Sequence, residues 1–79
     1  MLSPEEWAAE ACRMRREGAS LIEIANSLRA FGEKGGKKIN AVSIFGNECG
    51  WSVKQKLELL SWTEGGVTDK ELTEFVPWP

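Results

Sequence analysis

The chain has 79 residues, a formal net charge of −2 and 42% hydrophobic side chains, which together describe one small globular domain. This length excludes multidomain enzymes, solenoids and barrels. The sequence contains no histidine, and it shows no cysteine or serine nucleophile motif, phosphate loop or paired-carboxylate motif. We therefore expect a protein that is not an enzyme and that uses no cofactor.

The net charge conceals an uneven distribution along the chain. Residues 1–12 sum to −3, residues 13–56 to +5 and residues 57–79 to −4. A basic centre thus lies between acidic ends, so that the small negative total does not exclude contact with nucleic acid.

The sequence also limits membrane and metal binding. No apolar run approaches the roughly 20 residues that span a bilayer, and the N-terminus does not have the pattern of a signal sequence, so we expect a cytoplasmic protein without membrane contact. Cys12 and Cys49 are 37 residues apart and have no histidine to complete a zinc site, so we expect no bound metal. The two thiols are expected to pack as small core residues, with a disulfide as the minor alternative.

The first helix is predicted from its capping signals. Ser3, Pro4 and Glu6 form an N-cap, a first-turn proline and a capping box, and Gly18 supplies a stop after Glu17. Apolar residues recur at helical spacing in between: Trp7, Ala8, Ala11, Cys12 and Met14.

The second helix follows after a three-residue turn. Ser20 and Glu23 repeat the capping-box spacing, and the apolar period continues until Gly32. Residues 32–38 combine glycines with charged residues, which predicts a loop before the next helix.

The third helix is predicted to begin with Asn40 as its N-cap and to end at Gly50. Ile44 and Phe45 would also suit a short strand.

Two shorter helices are predicted after the third. Ser52 is expected to cap a helix that stops before Gly65, and Thr68 with Glu71 to open a last helix that ends before Pro77. The predicted fold class is all-α, with a trihelical helix-turn-helix core over residues 3–51 and one or two additional helices over residues 52–79 of the same domain.

Two sequence segments within the predicted core match a known pattern. The run Glu-Gly-Ala-Ser-Leu-Ile-Glu-Ile-Ala over residues 17–25 precedes Asn-Ala-Val at 40–42, and Gly50 and Trp51 follow ten and eleven positions after Asn40. Residues 3–51 thereby resemble GcrA-type cell-cycle regulators and related homeodomain-like helix-turn-helix proteins, and Trp7 suits the early tryptophan of that family. The resemblance implies a DNA-binding transcriptional regulator of phage or bacterial type that places its third helix in the major groove.

The predicted contacts with double-stranded DNA combine basic and amide side chains. Lysines before the third helix are expected to hold phosphates, polar side chains on that helix to contact base edges or phosphates, and three arginines to add flanking phosphate contacts. The candidate residues are Lys34, Lys37, Lys38, Asn40, Ser43, Asn47, Arg13, Arg16 and Arg29.

Two alternatives stay open. The lysines could only make the loop soluble, or the fold could serve as a protein-interaction or inhibitor module that acts on a host or regulatory protein. Glu48, which a phosphate would repel, and the acidic C-terminal segment favour the second alternative. Its candidate contact residues are Trp62, Phe75 and Trp78, and the same segment could form a homodimer.

Overall fold

The computed structural model describes residues 2–78, which form five α-helices and no strand. The helices are α1 Pro4–Arg16, α2 Leu21–Glu33, α3 Lys38–Cys49, α4 Val53–Thr63 and α5 Asp69–Phe75. The predicted all-α fold is thus confirmed, with two helices after the first three. The alternative of a strand at Ile44 and Phe45 is wrong, because both residues lie inside α3.

Four of these helices begin at the hydroxyl residue that the sequence indicates. The side chains of Ser3, Ser20, Ser52 and Thr68 each accept a hydrogen bond from the backbone N–H three residues later. The reciprocal bond that completes a capping box forms in α1, α4 and α5. These starts depend on residues three apart in the chain, and for this reason they could be predicted without tertiary information.

The predicted start of α3 is wrong. The helix begins at Lys38 with Lys37 as its N-cap residue, so that Asn40 is the third helical residue and not the cap. The connection from α2 to α3 is also shorter than predicted. It folds back on the end of α2, where Gly36 donates its N–H to the carbonyl of Phe31 at 2.9 Å. The predicted loop of residues 32–38 is therefore reduced to residues 34–37.

An aromatic cluster fills the centre of the fold. Phe45 of α3 is fully buried and meets Trp7 at a ring-centroid distance of 5.6 Å, Trp51 at 5.4 Å and Trp78 at 6.2 Å. The edge-to-face geometry against Trp7 and Trp51 is the arrangement that aromatic quadrupoles favour. Because α1, α2 and α3 contact one another in pairs, this cluster lies at the junction of the first three helices.

The C-terminal segment shares this core. Helix α4 packs on α2 and α3, and α5 packs on α4 and α2. Beyond α5, the indole N–H of Trp78 donates to the carbonyl of Ala19 at 2.9 Å, which attaches the end of the chain to the turn between α1 and α2. No helix within residues 2–78 has both the length and the apolar character needed to cross a bilayer.

Candidate functional site

The outward face of α3 carries three of the predicted contact residues. Asn40, Ser43 and Asn47 are spaced by three and four residues, which places them on one side of the helix. The opposite side supplies Val42 and Phe45 to the core. Asn40 and Asn47 are exposed and Ser43 is half-buried, so the three residues form a neutral strip of hydrogen-bonding groups open to solvent.

The start of α3 is electropositive. Lys34 and Lys37 are exposed, and no carboxylate within residues 2–78 forms an ion pair with either of them. Lys37 caps α3 without a side-chain hydrogen bond, so the first backbone N–H groups of the helix lack a capping acceptor. Such N–H groups and the helix dipole favour an anion at this end.

Lys38 is oriented differently from its neighbour Lys37. Its Nζ atom donates to Oγ1 of Thr63 at 3.1 Å and lies 3.6 Å from a carboxylate oxygen of Glu64. Only 24% of the Lys38 side chain is exposed. This lysine joins the start of α3 to the end of α4, and its charge is already paired within the chain.

A basic residue outside the predicted set of contact residues, Lys56, lies beside Asn47. The Nζ atom of Lys56 donates to Oδ1 of Asn47, and the stem of Lys56 passes close over Gly46. A Cβ atom at Gly46 would lie 2.7 Å from Cγ of Lys56, so glycine is what allows α4 to place its lysine here. The sequence carried no signal of this contact, because the two residues belong to different helices.

The three candidate arginines differ in whether their charge has a partner within the chain. Arg13 forms ion pairs with Glu10 and, at 2.7 Å, with Glu17 on the same side of α1. The guanidinium of Arg29 lies 4.2 Å from the ring centroid of Trp62. It also donates to the backbone carbonyl of Trp62 at 3.5 Å. The charges of Arg13 and Arg29 thus have partners within the chain.

Arg16 is exposed at the far end of α1 and shares an open hollow with Glu48 of α3. The carboxylate residue Glu5 lines the same hollow, and no ion pair joins Glu48 to Arg16 within the described part of the chain. No local pattern in the sequence predicts that these two residues come together, because they belong to different helices.

The thiols of Cys12 and Cys49 are free and partly buried. Burial is the main cause that raises the pKa of both thiols above the ordinary value of 9.0, so both stay protonated at neutral pH. Residues 2–78 contain no group of three or more side chains arranged to hold a metal ion.

The three aromatic residues predicted as partner contacts differ in exposure. Trp62 is buried and donates its indole N–H to Asp69 at 2.7 Å, while Trp78 is half-buried against the core. Phe75 is 40% exposed, and Nζ of Lys54 lies 5.5 Å from its ring centroid. Phe75 also lines an open hollow with three carboxylates, those of Glu58, Glu71 and Glu74.

Comparison with family models, with curated proteins and with solved structures finds no match for this chain. The resemblance of residues 3–51 to GcrA-type regulators therefore stays a prediction. What the chain can bind follows from the side chains that its own fold exposes.

Proposed function

We propose that this protein binds double-stranded DNA through the outward face of α3. The observation that supports this function is the strip of Asn40, Ser43 and Asn47, which has Lys37 at one end and Lys56 beside the other. In the major groove, base-pair edges that form hydrogen bonds with neutral side chains lie between two phosphate backbones that attract lysines. The strip and its flanking lysines have the same order of groups. The resemblance of residues 3–51 adds that such binding would regulate transcription in a phage or a bacterium, which would place the protein in the cytoplasm.

Each group has a distinct part in this proposal. An asparagine amide forms paired hydrogen bonds with N6 and N7 of adenine in the major groove, and a serine hydroxyl bonds to several base edges. Lys34 and Lys37, together with the free N–H groups that begin α3, hold phosphates on one side of the groove. Lys56 holds a phosphate on the other side, once its bond to Asn47 is exchanged for one to DNA.

Binding should be weak and strongly dependent on salt. If three lysines each contact one phosphate, the slope of log K against log salt concentration is about −3, since each neutralised phosphate contributes about −0.9. Glu48, one residue beyond Asn47, opposes contact with phosphate on that side.

A fluorescence-anisotropy titration with a long mixed-sequence duplex at about 50 mM and about 200 mM salt tests the proposal. The wild-type chain should bind at the lower salt concentration, and the double variant Lys34→Ala/Lys37→Ala should bind at least about tenfold less tightly, with a shallower salt slope. Lys70→Ala is the matched control, because Lys70 is an exposed lysine on α5. Absence of binding at about 50 mM salt, or an equal loss in the control, would contradict DNA binding.

A second candidate function is capture of a basic segment of another protein. The observation that favours it is Phe75, whose exposed ring shares a hollow with Glu58, Glu71 and Glu74. An arginine side chain could lie on this ring while it pairs with a carboxylate. In an NMR titration with an arginine-rich peptide, amide shifts should concentrate in α5 and disappear in Phe75→Ala; shifts unaffected by that substitution would exclude this candidate.

A further inference from the structure

The two thiols of the chain lie on the helix pair α1 and α3. Phe45 of α3 meets Trp7 of α1 with 5.6 Å between the ring centroids. Cys12 follows Trp7 by five residues and Cys49 follows Phe45 by four, which is about 7.5 Å and about 6 Å along the two helix axes. Both cysteines are partly buried against the same hydrophobic core. Each helix thus carries one cysteine slightly more than a turn beyond the ring contact.

Cys12 lies opposite the end of α3. It lines an open hollow of about 280 Å³ together with Ile44 and Glu48 of that helix. The two helices therefore continue beside each other from the contact of Trp7 with Phe45 to the level of Cys12 and Glu48. Cys49 is the residue after Glu48 and packs against the core. The two cysteines are therefore at the same level of this helix pair.

The charges that act on the thiols agree with this placement. Burial is the first cause that raises the pKa of Cys49, Arg15 lowers this pKa, and Cys12 raises it. The pKa of Cys12 is raised first by burial and then by Glu48, and it is lowered by Arg16 and Arg15. Arg15 and Glu48 thus act on both thiols. The Nε atom of Arg15 is buried and has no hydrogen-bond partner within residues 2–78, so its positive charge favours a thiolate nearby.

We propose that Cys12 and Cys49 form a reversible disulfide between α1 and the end of α3 when a small-molecule disulfide such as oxidised glutathione is present. Cys12 lines the open hollow, so the soluble disulfide reaches its sulfur first. The Cys12 thiolate bonds to one sulfur of oxidised glutathione, the S–S bond of that molecule breaks, and one glutathione thiolate leaves.

The second exchange closes the bond within the chain. The Cys49 thiolate attacks the Cys12 sulfur of the mixed disulfide and displaces the second glutathione. The protein loses two electrons, which reduce oxidised glutathione to two thiolates, and the two protons released by the cysteines balance these thiolates.

The disulfide joins residues that are 37 positions apart. A cross-link of this kind stabilises a fold mainly because it restricts the unfolded chain. On α3, Cys49 lies on the side opposite Asn40 and Asn47, so oxidation leaves the proposed DNA-binding strip exposed. The disulfide does not depend on DNA binding, and its formation can be measured without DNA.

Incubation of the reduced full chain with oxidised glutathione at about pH 8.5, where more of each thiol is ionised, tests the proposal. The intact mass should fall by that of two hydrogen atoms while the chain stays monomeric. Trypsin cleavage without reductant should leave peptide 1–13, which contains Cys12, joined to peptide 39–54, which contains Cys49. Dithiothreitol should separate the two peptides. The Tm of the oxidised chain should exceed that of the reduced chain by at least about 8 °C.

Two single variants are matched controls and test the order of the steps. Cys49→Ser should stop at the mixed disulfide, with one glutathione attached at Cys12. Cys12→Ser should react at least about threefold more slowly, because Cys49 does not line the hollow. Neither variant should gain the increase in Tm, and circular dichroism checks that both are folded.

A wild-type chain that keeps both thiols, stops at the mixed disulfide or forms only disulfide-linked dimers overturns the proposal. An oxidised chain whose Tm does not rise overturns the stabilising role of the bond. Equal reaction rates of Cys12→Ser and Cys49→Ser overturn the initial attack by Cys12.

Discussion

The indole N–H of Trp62 donates to the carboxylate of Asp69 across the turn between α4 and α5, with 2.7 Å between Nε1 and Oδ1. The ring of Trp62 also takes part in a cation–π interaction, because the guanidinium of Arg29 on α2 lies 4.2 Å from the ring centroid. One buried side chain therefore joins α2, α4 and α5. Helix α5 is too short to be stable alone. The bond between Trp62 and Asp69 and the buried side chain of Leu72 attach it to the rest of the fold.

Asp69→Ala should lower the free energy of unfolding by about 1–2 kcal/mol, because the buried indole N–H of Trp62 loses its acceptor. Urea unfolding followed by tryptophan fluorescence measures this loss. The neighbouring substitution Lys70→Ala removes an exposed side chain and should change stability by less than about 0.5 kcal/mol. Equal effects of the two substitutions would show that the Trp62–Asp69 bond does not stabilise the fold.

Two glycines should resist replacement by alanine for different reasons. A Cβ atom at Gly36 would lie 2.5 Å from the ring of buried Phe31, so Gly36→Ala should destabilise by about 1–3 kcal/mol through overpacking. Gly50 ends α3 with φ of 74° and has open space around it, so Gly50→Ala should cost about 1 kcal/mol through backbone strain alone.

Gly66→Ala is the control for both substitutions, because the nearest atom to its Cβ would be 3.4 Å away and its φ is not positive. Thermal unfolding should rank the variants with Gly36→Ala least stable and Gly66→Ala closest to the wild type. A Gly66→Ala variant as unstable as Gly36→Ala would contradict the packing argument.

Adjacent lysines should have separate effects on stability and on DNA binding. Lys38→Ala removes the bond to Thr63 and the ion pair with Glu64, and it should cost about 1 kcal/mol of stability with little effect on DNA affinity. Lys37→Ala should leave stability within about 0.5 kcal/mol and weaken DNA binding. Urea unfolding and anisotropy on the same two variants measure both quantities. The reverse pattern would contradict the assignment of Lys38 to structure and Lys37 to phosphate.

Stability should fall in acid partly through Glu6. The pKa of its carboxylate is held below the ordinary value of 4.5, first by the backbone N–H of Ser3, which donates to it at 2.8 Å. A carboxylate whose pKa is lowered in the folded state stabilises the fold above its unfolded pKa, and this contribution is lost as pH falls through the folded pKa.

Glu6→Gln should therefore show a smaller loss of Tm than the wild type as pH is lowered from about 5 towards 2. Glu5→Gln is the control, since Glu5 is exposed in the same first turn of α1 and its carboxylate accepts no hydrogen bond within residues 2–78. A steeper acid loss in Glu6→Gln than in the wild type would contradict this sign.

The sequence by itself determined the all-α class and the starts of four helices, because a capping hydroxyl acts on a backbone group only three residues away. It also located the positive charge in the middle of the chain. The helical period further marked Trp7 and Phe45 as apolar positions, and both are buried in the core.

The tertiary structure decided which of those charges remain free and where α3 begins. Lys38 is paired with the end of α4, Arg29 is stacked on Trp62, and Lys56 reaches Asn47 from a neighbouring helix. These contacts join residues that are nine or more positions apart, beyond the reach of any local pattern. The same applies to the open groove lined by Ile39, Leu57 and Leu60, because these side chains meet only when α4 packs beside α3.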